Sequence, residues 1–402
     1  MPTTGTNSNP DIRQPDFLII AASARFLAQS AKNAGLSCCA IDLFGDQDLK
    51  NACANVVVDD LDLASIRNAI TELEGKLAEL PLQIVVGGGM ENRNKELDWL
   101  ASEFELVALL PPQSHRLKQP FELGRFAAEH QIRFPLTCRT DGVPNPEVQY
   151  LMKPYRSAGG SKIRFVNQQA ERPCVSQYYI QEFIPGKTFG TTYINDGVDC
   201  SVIGTCQQII GDEGFGVESD SFVYCGSIGP VKLGELIEKQ IERIGQSIGL
   251  EFGLKGVFGA DWVLDGQDQV WLLEVNPRIP ASAELLEKSE MLNSVFSLHV
   301  RNCCPALAPP KRICGKAILY SNCNDRRVVD EKFFEELKSA ADQFQAADIP
   351  QEGTEVRPRR PVCTIFSQGL TTQQVKNDLE SKARLWLERT KKLETVSISS
   401  SF

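Results

Sequence analysis

Gly256-Val-Phe-Gly-Ala-Asp-Trp-Val-Leu-Asp-Gly-Gln-Asp-Gln-Val-Trp-Leu-Leu-Glu-Val-Asn-Pro-Arg278 is the stretch on which the reading of the chain turns. Two apolar runs, Val257 to Leu264 and Val270 to Val275, flank the polar segment Asp265 to Gln269, which predicts a β-hairpin. Each strand carries an acid. Asp261 stands among Phe258, Trp262 and Val263, where an ionised carboxylate is costly unless a cation lies against it. Glu274 and Asn276 are two residues apart, so both side chains project from one face of the second strand. Two carboxylates and an amide oxygen make an oxygen-only set suited to Mg²⁺, and Arg278 adds a fork suited to phosphate or carboxylate. The same pattern also fits an amphipathic hairpin whose acids face water, and both readings stand on the residues alone.

Composition narrows the field. With 402 residues the chain exceeds one ordinary core, so two or three domains are expected. A net charge of −10 argues against nucleic acid or an anionic membrane surface as partner. The 13 Cys form no Cys-x-x-Cys pair and there are only 3 His, which argues against a zinc site or a disulfide framework and for reduced thiols. No window reaches the length of a membrane span and Met1 to Gln14 lacks the apolar core of a signal peptide, so a soluble cytoplasmic protein with a disordered tail over 1–14 is expected.

Outward from the hairpin, residues 15–110 read as a small parallel α/β sheet. Phe17 to Ala21, Ser37 to Asp42 and Asn55 to Val58 are strands, and the first helix ends at Gly35. Gln83 to Val86 runs into Gly87-Gly-Gly89, which lacks the dinucleotide fingerprint, as does Ser23-Ala-Arg25 after the first strand. That loop is either a substrate wall, with Glu91 and Asn92 as contacts, or a tight turn. Pro111-Pro112 closes the domain, and one helix is expected from Ser114 to His130. Lys118 near its start opposes the helix dipole, which is explained if it meets an anion. Residues 148–184 read as a small antiparallel unit, with a loop of Gly159 and Gly160 between Ser157 and Ser161 whose N–H groups suit phosphate oxygens; an ordinary hairpin turn is the alternative. Leu233 to Ile248 and Ala281 to Val300 read as helices, Pro305 to Pro310 as a linker. Gly315 to Tyr320, Pro361 to Phe366 and a helix from Thr372 to about Leu393 form a last α+β unit over 306–402.

Lys118, Lys153-Pro, Gly159-Gly-Ser161, Gln181-Glu-Phe-Ile-Pro-Gly186, Gly259-Ala-Asp261 and Glu274-Val-Asn-Pro-Arg278, in this order, resemble the ATP-grasp superfamily. The resemblance implies an ATP-grasp domain over 111–305 with a lid at about 148–184. It also implies a Rossmann-like pre-ATP-grasp α/β domain ahead of it and a small α+β unit behind, as in the biotin-carboxylase-like arrangement. It implies ATP with Mg²⁺ or Mn²⁺. Lys118 and Lys153 would hold phosphates, and Gly159, Gly160 and Ser161 would close over them. Gln181, Glu182, Phe183 and Ile184 would line the adenine site; Asp261, Glu274 and Asn276 would hold metal. Arg278 would grip the acyl-phosphate or carboxylate, making it and Lys153 the catalytic pair. Two departures stand out: little chain separates the lid strands between Val166 and Val175, and Lys187-Thr188 replaces the acid that often meets ribose.

Ala21-Ala-Ser-Ala-Arg25, Asp42-Leu-Phe-Gly-Asp46, Gly89-Met-Glu-Asn-Arg93 and Asn276 to Glu287 further resemble ATP-grasp proteins linked to tetrahydromethanopterin- and methanofuran-type one-carbon metabolism. The activity implied is a carboxylate–amine ligase acting on small molecules, such as glutamate and an amine, with a homodimer left open. A bicarbonate-dependent carboxylase, a catalytically silent nucleotide-binding sensor or scaffold, and more distantly a redox dinucleotide protein are the competing readings. Cys206 and Cys225 are the thiols to check for reactivity.

Overall fold

The computed structural model describes residues 15–77, 79–81, 83–140, 145, 147–156, 159–166, 176–304 and 306–396. The expected tail 1–14, Ser157, the stretch between Val166 and Val175 and Pro305 lie outside the described residues. Among the described residues no helix is long and apolar enough to cross a membrane.

The chain opens with the expected parallel sheet, in the order Ala54–Val57, Cys38–Asp42, Phe17–Ile20, Gln83–Val86, Glu105–Leu106. The middle strand Phe17–Ile20 is apolar throughout and buried, as a sheet covered on both faces requires. Chain order reverses between Phe17–Ile20 and Gln83–Val86, so the loops at Ala21–Ala24 and Gly87–Glu91 flank a topological switch point.

The organising hairpin forms at Gly256–Leu264 and Val270–Asn276. Its turn is closed by Asp265, whose Oδ1 accepts the N–H groups of Gln267 (2.8 Å) and Gln269 (2.9 Å). The hairpin is one edge of an eight-stranded antiparallel sheet that continues through Lys187–Asn195, Cys200–Ile210, Tyr224–Gly229, Ile313–Tyr320, Pro361–Gly369 and Ala346–Ala347. Ile313–Tyr320, Pro361–Gly369 and Ala346–Ala347 thus extend the middle sheet, while Glu355–Val356, Arg327–Val328 and Glu394–Thr395 pair in a small sheet of their own. Helix Glu235–Phe252 covers one face of the hairpin end, its Ile237, Ile241, Ile244, Ile248 and Phe252 packing on Phe258, Ala260, Trp262, Val270, Leu272 and Val275. Helix Thr372–Thr390 covers the C-terminal strands.

Two expected helices are each broken. The stretch from Ser114 to His130 is split into Pro111–Leu117 and Pro120–Glu129, because Pro120 has no N–H and holds Gln119 extended. Lys118 is therefore the C-cap of the first helix, where its charge suits the dipole, so the dipole argument for a nearby anion falls away. The stretch from Ala281 to Val300 is split into Ala283–Lys288 and Val295–Arg301, with Ser294 capping the second through the N–H of Ser297. Sequence reading also passed over the helix Glu331–Asp342.

Buried ions bind the three parts of the chain together. Arg25, on the first helix, is paired with Glu284 from the middle of the chain and with Asp348 near its end (2.9 and 3.1 Å); Lys316 donates to Glu284 at 3.1 Å. An apolar core containing Phe17, Ile19, Val257, Phe296, Cys314 and Phe366 draws on the same three parts. Trp262, 1% exposed, stacks on Phe189 at 4.6 Å and donates to Thr191 Oγ1 at 2.9 Å. Trp262→Ala is expected to cost about 3–5 kcal/mol of stability, read as a lower urea midpoint.

Candidate functional site

The face of the sheet opposite helix Glu235–Phe252 carries the acids. On the first hairpin strand Phe258, Ala260 and Trp262 face the helix, so Asp261 faces the other way. On the second, Val270 and Leu272 face the helix, and plain alternation would send Glu274 there too. A β-bulge prevents it: Trp262 pairs with Leu272 while Asp261 pairs with Glu274, leaving Leu273 as an extra residue. Beyond it Val275 takes the core side, and Glu274 and Asn276 join Asp261.

The three side chains form one connected group. Asn276 Nδ2 donates to Asp261 Oδ2 at 2.9 Å, and Gln208 Nε2 to Asp261 Oδ1 at 2.7 Å. Lys118 places its ammonium between Glu274, with which it is ion-paired, and Asn276 Oδ1 at 2.9 Å. Gly190 lies opposite Asp261 on the neighbouring strand, and a Cβ there would crowd Asp261 and Gln208 at 3.1 and 3.2 Å. Burial and the neighbouring Glu274 push the Asp261 carboxyl up to about 6, against the pull of Arg278 and Lys118. Glu274 behaves oppositely: burial would raise it, yet Lys118 and Lys153 outweigh that and hold it below the usual carboxylate range. Two acids driven apart by their surroundings fit a functional centre. The donor set is hard oxygen throughout, and a cation already rests in its notch, so these residues fit a divalent ion. Among the described residues no group of three or more His, Cys, Asp or Glu could hold a metal, so the amide of Asn276 is needed as third donor.

The antiparallel unit expected as a lid lies near this face, its Lys153 and Tyr179 both within electrostatic reach of Glu274. Its sheet runs Thr137–Arg139, Tyr178–Glu182, Tyr150–Pro154, Arg164–Phe165. The first strand extends it beyond the expected start at 148; three residues with little apolar pattern gave no signal. Lys153 sits above Tyr179, 5.9 Å from the ring centroid, and donates to Gln181 Oε1 at 3.0 Å, while Gln181 Nε2 donates to Thr137 Oγ1 at 3.0 Å. Burial lowers the Lys153 ammonium below its ordinary value, with the charges of Glu274 and Asp261 opposing, so this lysine lies within electrostatic reach of both acids. Gly159 (φ +63°) and Gly160 (φ +74°) turn the lid loop in a left-handed conformation suited to glycine. The loop is fastened: Tyr224 N–H donates to Gly159 O at 2.9 Å, and a Cβ on Gly160 would strike Phe222 O. Rings of Phe165, Phe183 and Phe222 close the same contact at 5.2 to 6.3 Å. At the expected adenine edge, the N–H groups of Glu182 and Phe183 are already given to Leu136 O (2.8 Å) and Gln149 O (2.9 Å). Ile184 is buried beside them.

Arg278 lies at the N-terminal domain's glycine loop. Its Nε and Nη2 donate to Glu91 Oε1 at 3.2 and 2.7 Å, and Nη1 to Ile279 O at 3.2 Å. Glu91, read from sequence as a substrate contact, is instead the arginine's partner. Burial would raise its carboxyl, but Arg278 and Lys118 bring it down to about 2. Cys206 and Cys225 are wholly buried, and burial pushes their thiols up to about 12 and about 11, so neither is a nucleophile.

Residues 121–282 match the ATP-grasp domain family. These residues are similar to an ATP-grasp domain, and the match spans less than half of the chain. Its fold is shared, over 95% of this chain and 99% of the other, with an ADP complex of PurK, an N5-carboxyaminoimidazole ribonucleotide synthetase (TM-score 0.68, 14% identity). An L-amino acid ligase from Bacillus licheniformis aligns over 94% and 98% (TM-score 0.66, 13% identity). An N5-carboxyaminoimidazole synthase from Aspergillus clavatus, bound to ADP and 5-aminoimidazole ribonucleotide, aligns over 94% and 99% (TM-score 0.64, 14% identity). Comparison with curated proteins by sequence finds no match. Gln208, which bonds Asp261, and Tyr179, beneath Lys153, carried no sequence signal, since nothing local marks either residue.

With its carboxyl pushed up to about 6 by burial and Glu274, above its unfolded value, Asp261 favours the fold when protonated, and that contribution is lost as pH rises through about 6. Asp261→Asn should therefore stabilise the ligand-free protein at pH 8 by roughly 1–2 kcal/mol and leave it unchanged at pH 4, measured by thermal melts at both pH values.

Proposed function

We propose that the protein is an ATP-dependent carboxylate–amine ligase working through an acyl-phosphate. One observation carries this: Lys118 is bonded to Glu274 and Asn276, Asn276 to Asp261, and Lys153 from a separate segment lies within electrostatic reach of both acids. Kinship of fold with an L-amino acid ligase and with ADP-bound synthetases supports it.

In this reading Lys153, on the lid, and Lys118, on the floor, grip the phosphates of ATP from opposite sides. Gly159 and Gly160 exclude water above them. A carboxylate oxygen of the acid attacks the γ-phosphorus and ADP departs; the amine nitrogen then attacks the acyl carbon, phosphate departs and the nitrogen sheds a proton. Arg278 holds the acid's oxyanion through both steps. Asp261, Glu274 and Asn276 would hold the divalent ion, which when bound neutralises phosphate charge. No protein nucleophile is required, in keeping with two inert buried thiols.

The finer reading joins glutamate to an amine in building a one-carbon-carrier cofactor, and rests on the sequence stretches at Ala21–Arg25, Asp42–Asp46, Gly89–Arg93 and Asn276–Glu287. A second reading, phosphorylation of bicarbonate for a carboxylase, is favoured by the fold shared with N5-carboxyaminoimidazole ribonucleotide synthetase. A screen for ADP release across amino acids, amines and pterin or furan precursors separates the two. Release that needs an acid and an amine supports the ligase; label from bicarbonate appearing in product would replace it with the carboxylase.

Glu274→Gln, nearly isosteric, should cut metal-dependent ADP release by about 100-fold, since a pre-placed charge is lost where charge develops. Lys153→Ala should raise the ATP dissociation constant by about tenfold or more in calorimetry, the loss of one charge-assisted hydrogen bond.

A further inference from the structure

Arg278 follows the strand Val270–Asn276 on a short turn, and a free arginine there would sample many rotamers. It is held on two sides. One oxygen of Glu91 takes both its Nε and Nη2 protons and Ile279 O takes one from Nη1, while Gly88 lies close by, where a Cβ would just reach van der Waals contact with Cζ at 3.7 Å. The other oxygen of Glu91 accepts the N–H of Gly89 at 2.6 Å, which fixes the carboxylate itself. Glu91 is 4% exposed, shut away from anything in the cleft. A guanidinium has five N–H donors, so these contacts leave it a pair for an oxyanion.

We propose that Glu91 is the positioning residue for Arg278, and that the glycine loop Gly87–Glu91 serves to hold an arginine rather than a nucleotide. This rests on the ligase reading for its kinetic consequence. The N-terminal sheet then acts on the chemistry without touching substrate: when docked, its switch-point loop fixes the angle at which Arg278 meets the acid. A dinucleotide-type loop uses its backbone N–H groups on phosphate; here the N–H of Gly89 is spent on Glu91.

The test is a double-mutant cycle on the full chain with Glu91→Gln, Arg278→Ala and the pair. It is assayed as ADP release with an acid and amine that support wild-type turnover, alongside ATP calorimetry. Glu91→Gln should lower kcat by about 10–100-fold with ATP affinity within about twofold, and should add nothing to Arg278→Ala. Normal kcat in Glu91→Gln, or losses that add in the double variant, would overturn the assignment. Phenylglyoxal labelling of Arg278, read by peptide mass spectrometry, needs no substrate. Faster labelling in Glu91→Gln than in wild type is expected, and equal rates refute the positioning role whatever the screen returns. Wild-type protein that never releases ADP with any acid would instead sink the ligase reading alone.

Discussion

A carboxylate on a sheet must face either the apolar core or the open side, and strand alternation decides which. In this protein one extra residue, Leu273, reverses that choice midway along an edge strand, sending Glu274 and Asn276 to meet Asp261. Without the bulge Glu274 would point into the packing around Trp262 and Ile241, and burying it there unpaired would cost several kcal/mol. The cleft's charge follows from this one irregularity, and Lys118 and Lys153 are placed to answer it.

That answer draws on distant parts of the chain. Asp261 is lifted by burial and by Glu274, whereas Glu274 is held down by the lysines, so neighbouring carboxyls sit at different points of their titration. Arg278 is matched by Glu91 from the N-terminal sheet, and the lid is matched by Phe222 and Tyr224 from the loop leading into a central strand. The buried Arg25–Glu284–Asp348 ions tie the same three parts together behind the cleft. The proposed phosphate site would work by pre-set charges in fixed places, in keeping with how much of the chain goes to holding a few groups still.

What could be read from sequence was what has a local cause. The hairpin was legible because Asp265 to Gln269 is turn chemistry between apolar runs, and the parallel sheet because its strands are apolar and its first helix ends at Gly35. Arg278 stood out as a fork beside the hairpin acids, Lys153 only through the order of motifs along the chain, and Lys118 through that order and a dipole argument that Pro120 undid. The bulge at Leu273 left no mark, since a single inserted apolar residue looks like any other. Pro120 should have broken the helix after Lys118, and its sequence does signal that. Glu91 was visible as an acid in a glycine loop, but its partner lies 187 residues away, a separation no local pattern encodes. For the same reason the joining of the C-terminal strands to the middle sheet could not be foreseen.

The central claim is that Asp261, Glu274 and Asn276 gather a divalent cation against the tail of a nucleotide gripped by Lys118 and Lys153. A crystal grown with Mn²⁺ and a non-hydrolysable ATP analogue tests it most directly, through the anomalous signal of manganese. The account predicts a peak among those three side chains, with phosphate density running to both lysines. Manganese bound elsewhere, or a nucleotide whose phosphates avoid this face of the sheet, would contradict it.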